Sequence, residues 1–131
     1  MTTVVNGFTM AYTDEGRGLP LVFVHGFPLA RGAWERQVEA FRSTHRVIAP
    51  DLRGLGESEA PGAAPVAMDR YAADVRALLA RLGAGPAVLI GHSMGGYVVL
   101  AFARLFPELL RGLVLVATKA GPDTPEGAAG R

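Results

Sequence analysis

The 131-residue chain contains no cysteine. That absence excludes a disulfide framework, a thiol nucleophile and a cysteine metal site. It also lacks a charge of one sign: 13 Lys and Arg stand against 12 Asp and Glu, for a net +1. A nucleic-acid protein would show a clear basic excess, so that class of partner is excluded. Long hydrophobic runs are missing as well. The longest, Tyr97 to Ala103, has seven residues, far below the roughly 18 a membrane span needs. Met1 to Met10 has neither a charged nor a long apolar region, so it does not read as a secretory signal. The expectation is a soluble, cytoplasmic protein with no membrane partner. No metal-ligand cluster and no phosphate-binding G-x-x-x-x-G-K-[ST] motif is present, so no cofactor is implied.

Half of the residues are hydrophobic, and there are 17 glycines and 9 prolines. The first number suits one packed core. The second implies many tight turns. Short apolar runs recur along the chain. Thr2 to Val5 and Phe8 to Tyr12 flank Asn6-Gly7, a pair suited to a hairpin. Leu21 to His25, Arg46 to Pro50, Ala87 to Gly91 and Leu113 to Ala117 read as strands buried on both faces. Between them lie helical stripes: Trp34, Val38 and Phe41, then Tyr71, Val75, Leu78, Leu79 and Leu82. Met94 to Phe106 is apolar almost all round, which predicts a buried helix. The alternation predicts an α/β fold, a mostly parallel sheet of about six strands with helices on both faces. Residues 1–120 form this unit, and 121–131 read as a Gly- and Pro-rich tail.

The sharpest chemical signal is Gly91-His92-Ser93-Met94-Gly95-Gly96. It follows an apolar strand and opens an apolar helix, the setting in which G-x-S-x-G is a nucleophile elbow. Ser93 must stand clear of the backbone on a sharp turn. The glycines two before and two after it remove Cβ atoms where strand and helix approach. The helix start directs N–H groups at developing negative charge, so the Met94 N–H is one oxyanion donor. The competing reading of Ser93 is a simple helix cap. His25-Gly26-Phe27-Pro28 ends another strand, on the edge where open α/β sheets bind ligands. There the Phe27 N–H is a second oxyanion donor, the alternative being a plain turn. Asp51-Leu52-Arg53-Gly54-Leu55-Gly56-Glu57-Ser58 lacks the glycine spacing of a dinucleotide fingerprint. It reads as a loop passing close beneath the oxyanion turn, tied down locally by Asp51 and Arg53. Ser43 and Ser58 lack elbow glycines. Phe27, Trp34 and Met94 could line an apolar pocket or belong to the core.

Taken together in this order, HGFP, DLRGLGES and GHSMGG resemble the N-terminal half of the α/β-hydrolase fold family, over about Phe8 to Thr118. The resemblance implies catalytic Ser93 and oxyanion donors at the Phe27 and Met94 backbones. It also implies, with the six strands numbered in sequence, a sheet order of 1-2-4-3-5-6. His25 and His92 match positions that support loops, and the tail matches the approach to a helical cap. The departure from the pattern is the histidine. In the family the order is serine, acid, histidine, whereas His25, His45 and His92 all precede Ser93. The tight turn beside His25 favours a structural role, His45 lies at the far end of its strand, and His92 points away from its neighbour. The carboxylates after Ser93 are Glu108, Asp123 and Glu126; none sits where an acid is expected, Asp123 coming nearest.

A serine without a base is a poor nucleophile. The sequence therefore reads as a serine hydrolase of carboxylic esters, lactones or thioesters, working through an acyl-serine, with the acid and histidine lacking from this stretch. Its partner is a small ester-type substrate. A retained elbow argues against the alternative of a non-catalytic hydrolase-like binding module. One half of a split enzyme is the other alternative. The apolar run Leu113 to Ala117, with no strand beyond it, is expected to promote self-association.

Overall fold

The alternating pattern condenses into a six-stranded sheet in the computed structural model, which describes residues 1–62 and 65–118. The hairpin strands are β1 (Thr2–Val5) and β2 (Phe8–Glu15), joined at Asn6-Gly7, both with positive φ (45° and 83°). Asn and Gly tolerate that region best, which is why this pair makes the turn. Then come β3 (Pro20–Val24), a short 3-10 helix (Arg31–Trp34) running into α1 (Glu35–Phe41), and β4 (Arg46–Pro50). They are followed by α2 (Met68–Leu82), β5 (Ala87–His92), α3 (Met94–Leu105) and β6 (Leu110–Val116).

The strand order is β1-β2-β4-β3-β5-β6, as the resemblance implies. β1 with β2 and β2 with β4 are antiparallel; the β4-β3, β3-β5 and β5-β6 pairs are parallel. The register sets Leu21 beside both Val47 and Val88, so β3 is the hydrogen-bonded centre of the sheet. Continuous apolar strands require cover on both faces. α2 and α3 cover one face, over a core that includes Phe8, Met10, Val22, Val24, Ile48, Leu78, Leu89, Val98 and Phe102. α1 covers part of the other, where Phe23 and Trp34 meet at 5.0 Å beside Val38, Val47 and Ile90.

Three expectations need revision. β2 runs to Glu15, three residues past Tyr12, because Thr13 to Glu15 pair with Ala49 to Val47 of β4. The long apolar helix buries Val98, Val99, Ala101 and Phe102, but Met94, Tyr97 and Leu100 are half-buried and Arg104 and Leu105 are exposed. β6 begins earlier than expected, at Leu110, and its apolar residues are not enclosed on both faces. It is the sheet's edge among the described residues, and Leu113 to Val116 are each 36–45% exposed. The tail expected at 121–131 lies outside the described residues. Among the described residues, no helix is long and apolar enough to cross a membrane.

One buried ion pair ties the loop after β4 to the α2 side. Arg53 does not bond locally as its sequence position suggests. Its guanidinium donates twice to Asp74 of α2, at 2.8 and 2.9 Å, and lies 4.3 Å over the Phe8 ring. Asn6 donates to the same carboxylate at 2.9 Å, so hairpin, loop and helix meet there. Removing one member of a buried pair strands the other charge. Asp74→Ala is therefore expected to cost about 3–5 kcal/mol, read as a lower urea midpoint, and replacing Arg53 and Asp74 together by apolar residues should recover much of it.

Candidate active site

The carboxyl ends of the parallel strands gather the residues that the motifs single out. Ser93 follows β5 with φ 53° and ψ −117°, a conformation that a non-glycine residue holds only under constraint. It is not a side-chain cap: its hydroxyl makes no capping bond to α3. The constraint is supplied by close backbone contacts. A Cβ on Gly91 would collide with the Gly95 carbonyl, and one on Gly95 with the carbonyls of Val24 and His25. Strand β5, helix α3 and the end of β3 therefore touch backbone to backbone, which only glycine permits. The Ser93 N–H donates to Val116 O at 3.1 Å, and Thr118 Oγ1 donates to Ser93 O at 2.8 Å. A Cβ on Gly96 would collide with that Thr118 side chain. Thr118 thus pins the elbow from the end of β6. Nothing in the sequence around it announces this, because the contact spans 25 residues.

The His25 to Pro28 turn packs against the elbow. A Cβ on Gly26 would sit 3.0 Å from His92 O and 3.1 Å from Ser93 Cβ. The turn closes through Leu29 N–H to Gly26 O at 2.9 Å, and Phe27 itself is exposed. The structure therefore brings the Phe27 turn and the start of α3 together at Ser93. Met94, at that helix start, has no residue four before it inside the helix to receive its N–H. Its side chain packs on the α2-α3 core.

Two of the three histidines are hydrogen-bonded elsewhere. His25 is fully buried. Its Nδ1 donates to Gly26 O at 2.9 Å and its Nε2 accepts the Leu52 N–H at 3.0 Å. Both ring nitrogens are occupied, so His25 is a loop support and not a base. Burial, the largest influence, lowers its pKa, against smaller upward pulls from the Gly26 bond and the Asp51 charge. His92 meets the Trp34 ring edge-on at 6.3 Å, on the α1 face. His45 precedes β4 at the opposite end of the sheet and bonds Thr44 Oγ1 at 2.8 Å. Glu108 lies exposed in the 3-10 turn Pro107–Leu109, while Asp123 and Glu126 lie outside the described residues.

The loop after β4 passes against the His25 to Pro28 turn, its Leu52 N–H bonded to His25 Nε2, and Asp51 is its anchor. Its carboxylate accepts the Arg31 N–H at 2.7 Å, the Glu57 N–H at 2.9 Å and the Arg31 guanidinium. Ser58 Oγ donates to Asp51 O at 2.6 Å and accepts the Ala11 N–H at 2.9 Å. Gly56, at φ 55°, leaves the room that carboxylate occupies. Beside the site a cavity of about 350 Å³ is lined by His25, Leu29, Trp34, Gln37, His92 and Val116, among others. Trp34 belongs to its wall and to the core at once; its buried Nε1 has no partner among the described residues. No group of His, Cys, Asp or Glu among the described residues could hold a metal.

A strand-turn-helix serine at the carboxyl edge of a parallel sheet, faced by a glycine turn from the neighbouring strand, defines a class of enzyme scaffold. The alpha/beta hydrolase fold pattern matches residues 20–129, and the chain belongs to that family. It is 39% identical over 133 residues to a soluble epoxide hydrolase of Corynebacterium sp. (strain C12), covering 93% of this chain and 44% of that protein. It is 44% identical over 119 residues to a non-heme chloroperoxidase of Streptomyces lividans, covering 88% of this chain and 43% of that protein. A thermophilic esterase from Thermogutta terrifontis superposes with a TM-score of 0.85 at 49% identity, over 95% of this chain and 46% of the esterase. The chain thus spans under half the length of these relatives.

The doubly bonded His25 ring has a pH signature. The unfolded ring titrates near the ordinary value of 6.5, and the folded ring below it. As pH falls the unfolded state takes the proton first, so stability rises with pH in that window. His25 contributes fully above about pH 6.5, and that contribution is lost as pH falls through its folded pKa. Melting temperature should therefore drop between pH 7 and 5 more steeply in the wild type than in His25→Gln. A parallel pair of curves would show that His25 is not the group responsible.

Proposed function

We propose that this chain carries the nucleophile and the oxyanion hole of a serine hydrolase acting on carboxylic esters, lactones or thioesters. The observation that supports it most is the Ser93 turn, a costly backbone conformation surrounded by three glycine contacts. A helix cap or a binding module has no use for that cost. In the reaction, Ser93 Oγ attacks the carbonyl carbon, and the Phe27 and Met94 N–H groups receive the oxyanion. The leaving alcohol or thiol departs with a proton, and water hydrolyses the acyl-serine. A peroxide or another nucleophile could take the place of that water.

Ser93 also sorts among the relatives. Epoxide opening or halide displacement through an enzyme ester requires a carboxylate at the elbow, and this chain has a hydroxyl there. Acyl chemistry, as in the esterase, is the better fit. The Ser93 proton needs a base; His25 and His45 are hydrogen-bonded elsewhere, and His92 precedes Ser93 on β5 with its ring against Trp34. On this reading the base and its acid are not among residues 1–118. By itself the chain is expected to turn over activated esters far below the common enzyme rate of about 10 per second.

The test is prolonged labelling by excess fluorophosphonate, slow because Ser93 lacks its base here, with the adduct located by peptide mass spectrometry. The adduct is expected on Ser93, and Ser93→Ala should abolish it while leaving the melt unchanged. An adduct on Ser43 or Ser58, or undiminished labelling of the variant, would refute the assignment.

The β6 edge supports a second proposal, that the 131-residue chain self-associates. Its exposed Leu113 to Val116 have β5 as their one strand partner among the described residues, with no charge or proline among them. Light scattering should show mass rising with concentration, and Leu115→Lys should suppress the rise. A concentration-independent monomer would overturn it.

A further inference from the structure

Two residues from the end of β4 and the loop after it hold both ends of the turn that carries the Phe27 N–H. At its start, His25 Nε2 accepts the Leu52 N–H at 3.0 Å. At its end, the Asp51 carboxylate accepts the Arg31 N–H at 2.7 Å and the Arg31 guanidinium. Between these anchors the turn has one closing backbone bond, Leu29 N–H to Gly26 O. Asp51 is 1% exposed and is itself held by the Glu57 N–H and by the loop bonds of Ser58. Strand β4 fixes where the pair sits, since its last residue, Pro50, is opposite Tyr12 of β2. The staple is therefore carried by the sheet and not by the turn.

We propose that Asp51 is a positioning residue for the oxyanion hole, setting where the Phe27 N–H points by clamping Arg31. This rests on the reading of Ser93 as nucleophile and Phe27 as donor. A donor improves the rate only when held where the oxyanion will form, not merely near it. The turn's own bonds, from the Leu29 N–H and His25 Nδ1, both fall on Gly26 O, so the far side of the turn is set by the clamp at Arg31. Gly56 serves the same end: any larger residue there would push into the Asp51 carboxylate.

The test compares Asp51→Asn with Asp74→Asn in the 131-residue chain. Asp74→Asn loosens the same loop at Arg53 without touching Asp51 or Arg31. Amide hydrogen exchange of Leu29 and the Phe27 amide resonance report the turn. Fluorophosphonate labelling of Ser93 reports the site. For Asp51→Asn, Leu29 exchange should rise at least tenfold and the Phe27 resonance should broaden or shift. The maximal labelling rate should fall about tenfold, with the half-saturating concentration unchanged. Asp74→Asn should do none of this even where its melting temperature falls equally. If Asp51→Asn destabilises the chain too far to study, Arg31→Gln keeps the Arg31 N–H bond and should show the same changes in milder form. The proposal is overturned if Leu29 exchange and the Phe27 resonance match the wild type in Asp51→Asn, or if Asp74→Asn changes them equally. Wild-type labelling that survives in Ser93→Ala counts against the nucleophile reading, while the exchange data still decide the role of Asp51.

Discussion

Three stretches of backbone approach within van der Waals contact where β3, β5 and α3 meet, and the geometry of Ser93 depends on that approach. Gly91, Gly95 and Gly26 have no side chain to hold the segments apart. With any Cβ at Gly95, the helix would have to retreat from the end of β3, and the Ser93 turn could relax toward ordinary angles. The strain at Ser93 is thus held by packing on every side: by the glycine contacts, by the Val116 carbonyl and by the Thr118 hydroxyl. It belongs to the assembled sheet and not to the local peptide.

Legibility in the sequence tracks the range of the interaction. Periodicity locates the six strands and the main helices, because the face a strand or helix buries is written in its own residues. The elbow and the glycine turn are legible for the same reason, each being a short motif in a strand-end setting. Long-range partners are not. Arg53 finds Asp74 across 21 residues and Thr118 finds Ser93 across 25. Neither separation is encoded in a local pattern. Asp51 reads as an anchor of its own loop, but its bonds to Arg31 arise only once β4 lies beside β3. The start of β6 at Leu110 is equally hidden, since it reflects pairing with Ala87 of β5 and not the apolar run itself.

Family membership and the placement of the histidines together frame the chemistry. The fold is shared with relatives bearing epoxide hydrolase, chloroperoxidase and esterase names, and fold alone does not choose among them. The choice falls to the side chain at the elbow, and here it is a hydroxyl. Proximity alone would make His25 a candidate base. Its two ring nitrogens, one donating to Gly26 O and one accepting from Leu52, decide otherwise.

The strand order has a consequence for synthesis on the ribosome. β3 is a central apolar strand, yet one of its neighbours, β5, lies more than sixty residues downstream. A chain emerging in order, at about 5–20 residues per second, can build β1, β2, β4 and one edge of β3 first. The other edge of Leu21 to Val24 stays open for the several seconds until residues 87–92 appear. In that interval the chain presents an unpaired apolar strand, the kind of surface that chaperones bind. Ser93 reaches its strained angles only when that gap closes, so the elbow forms last in the central sheet.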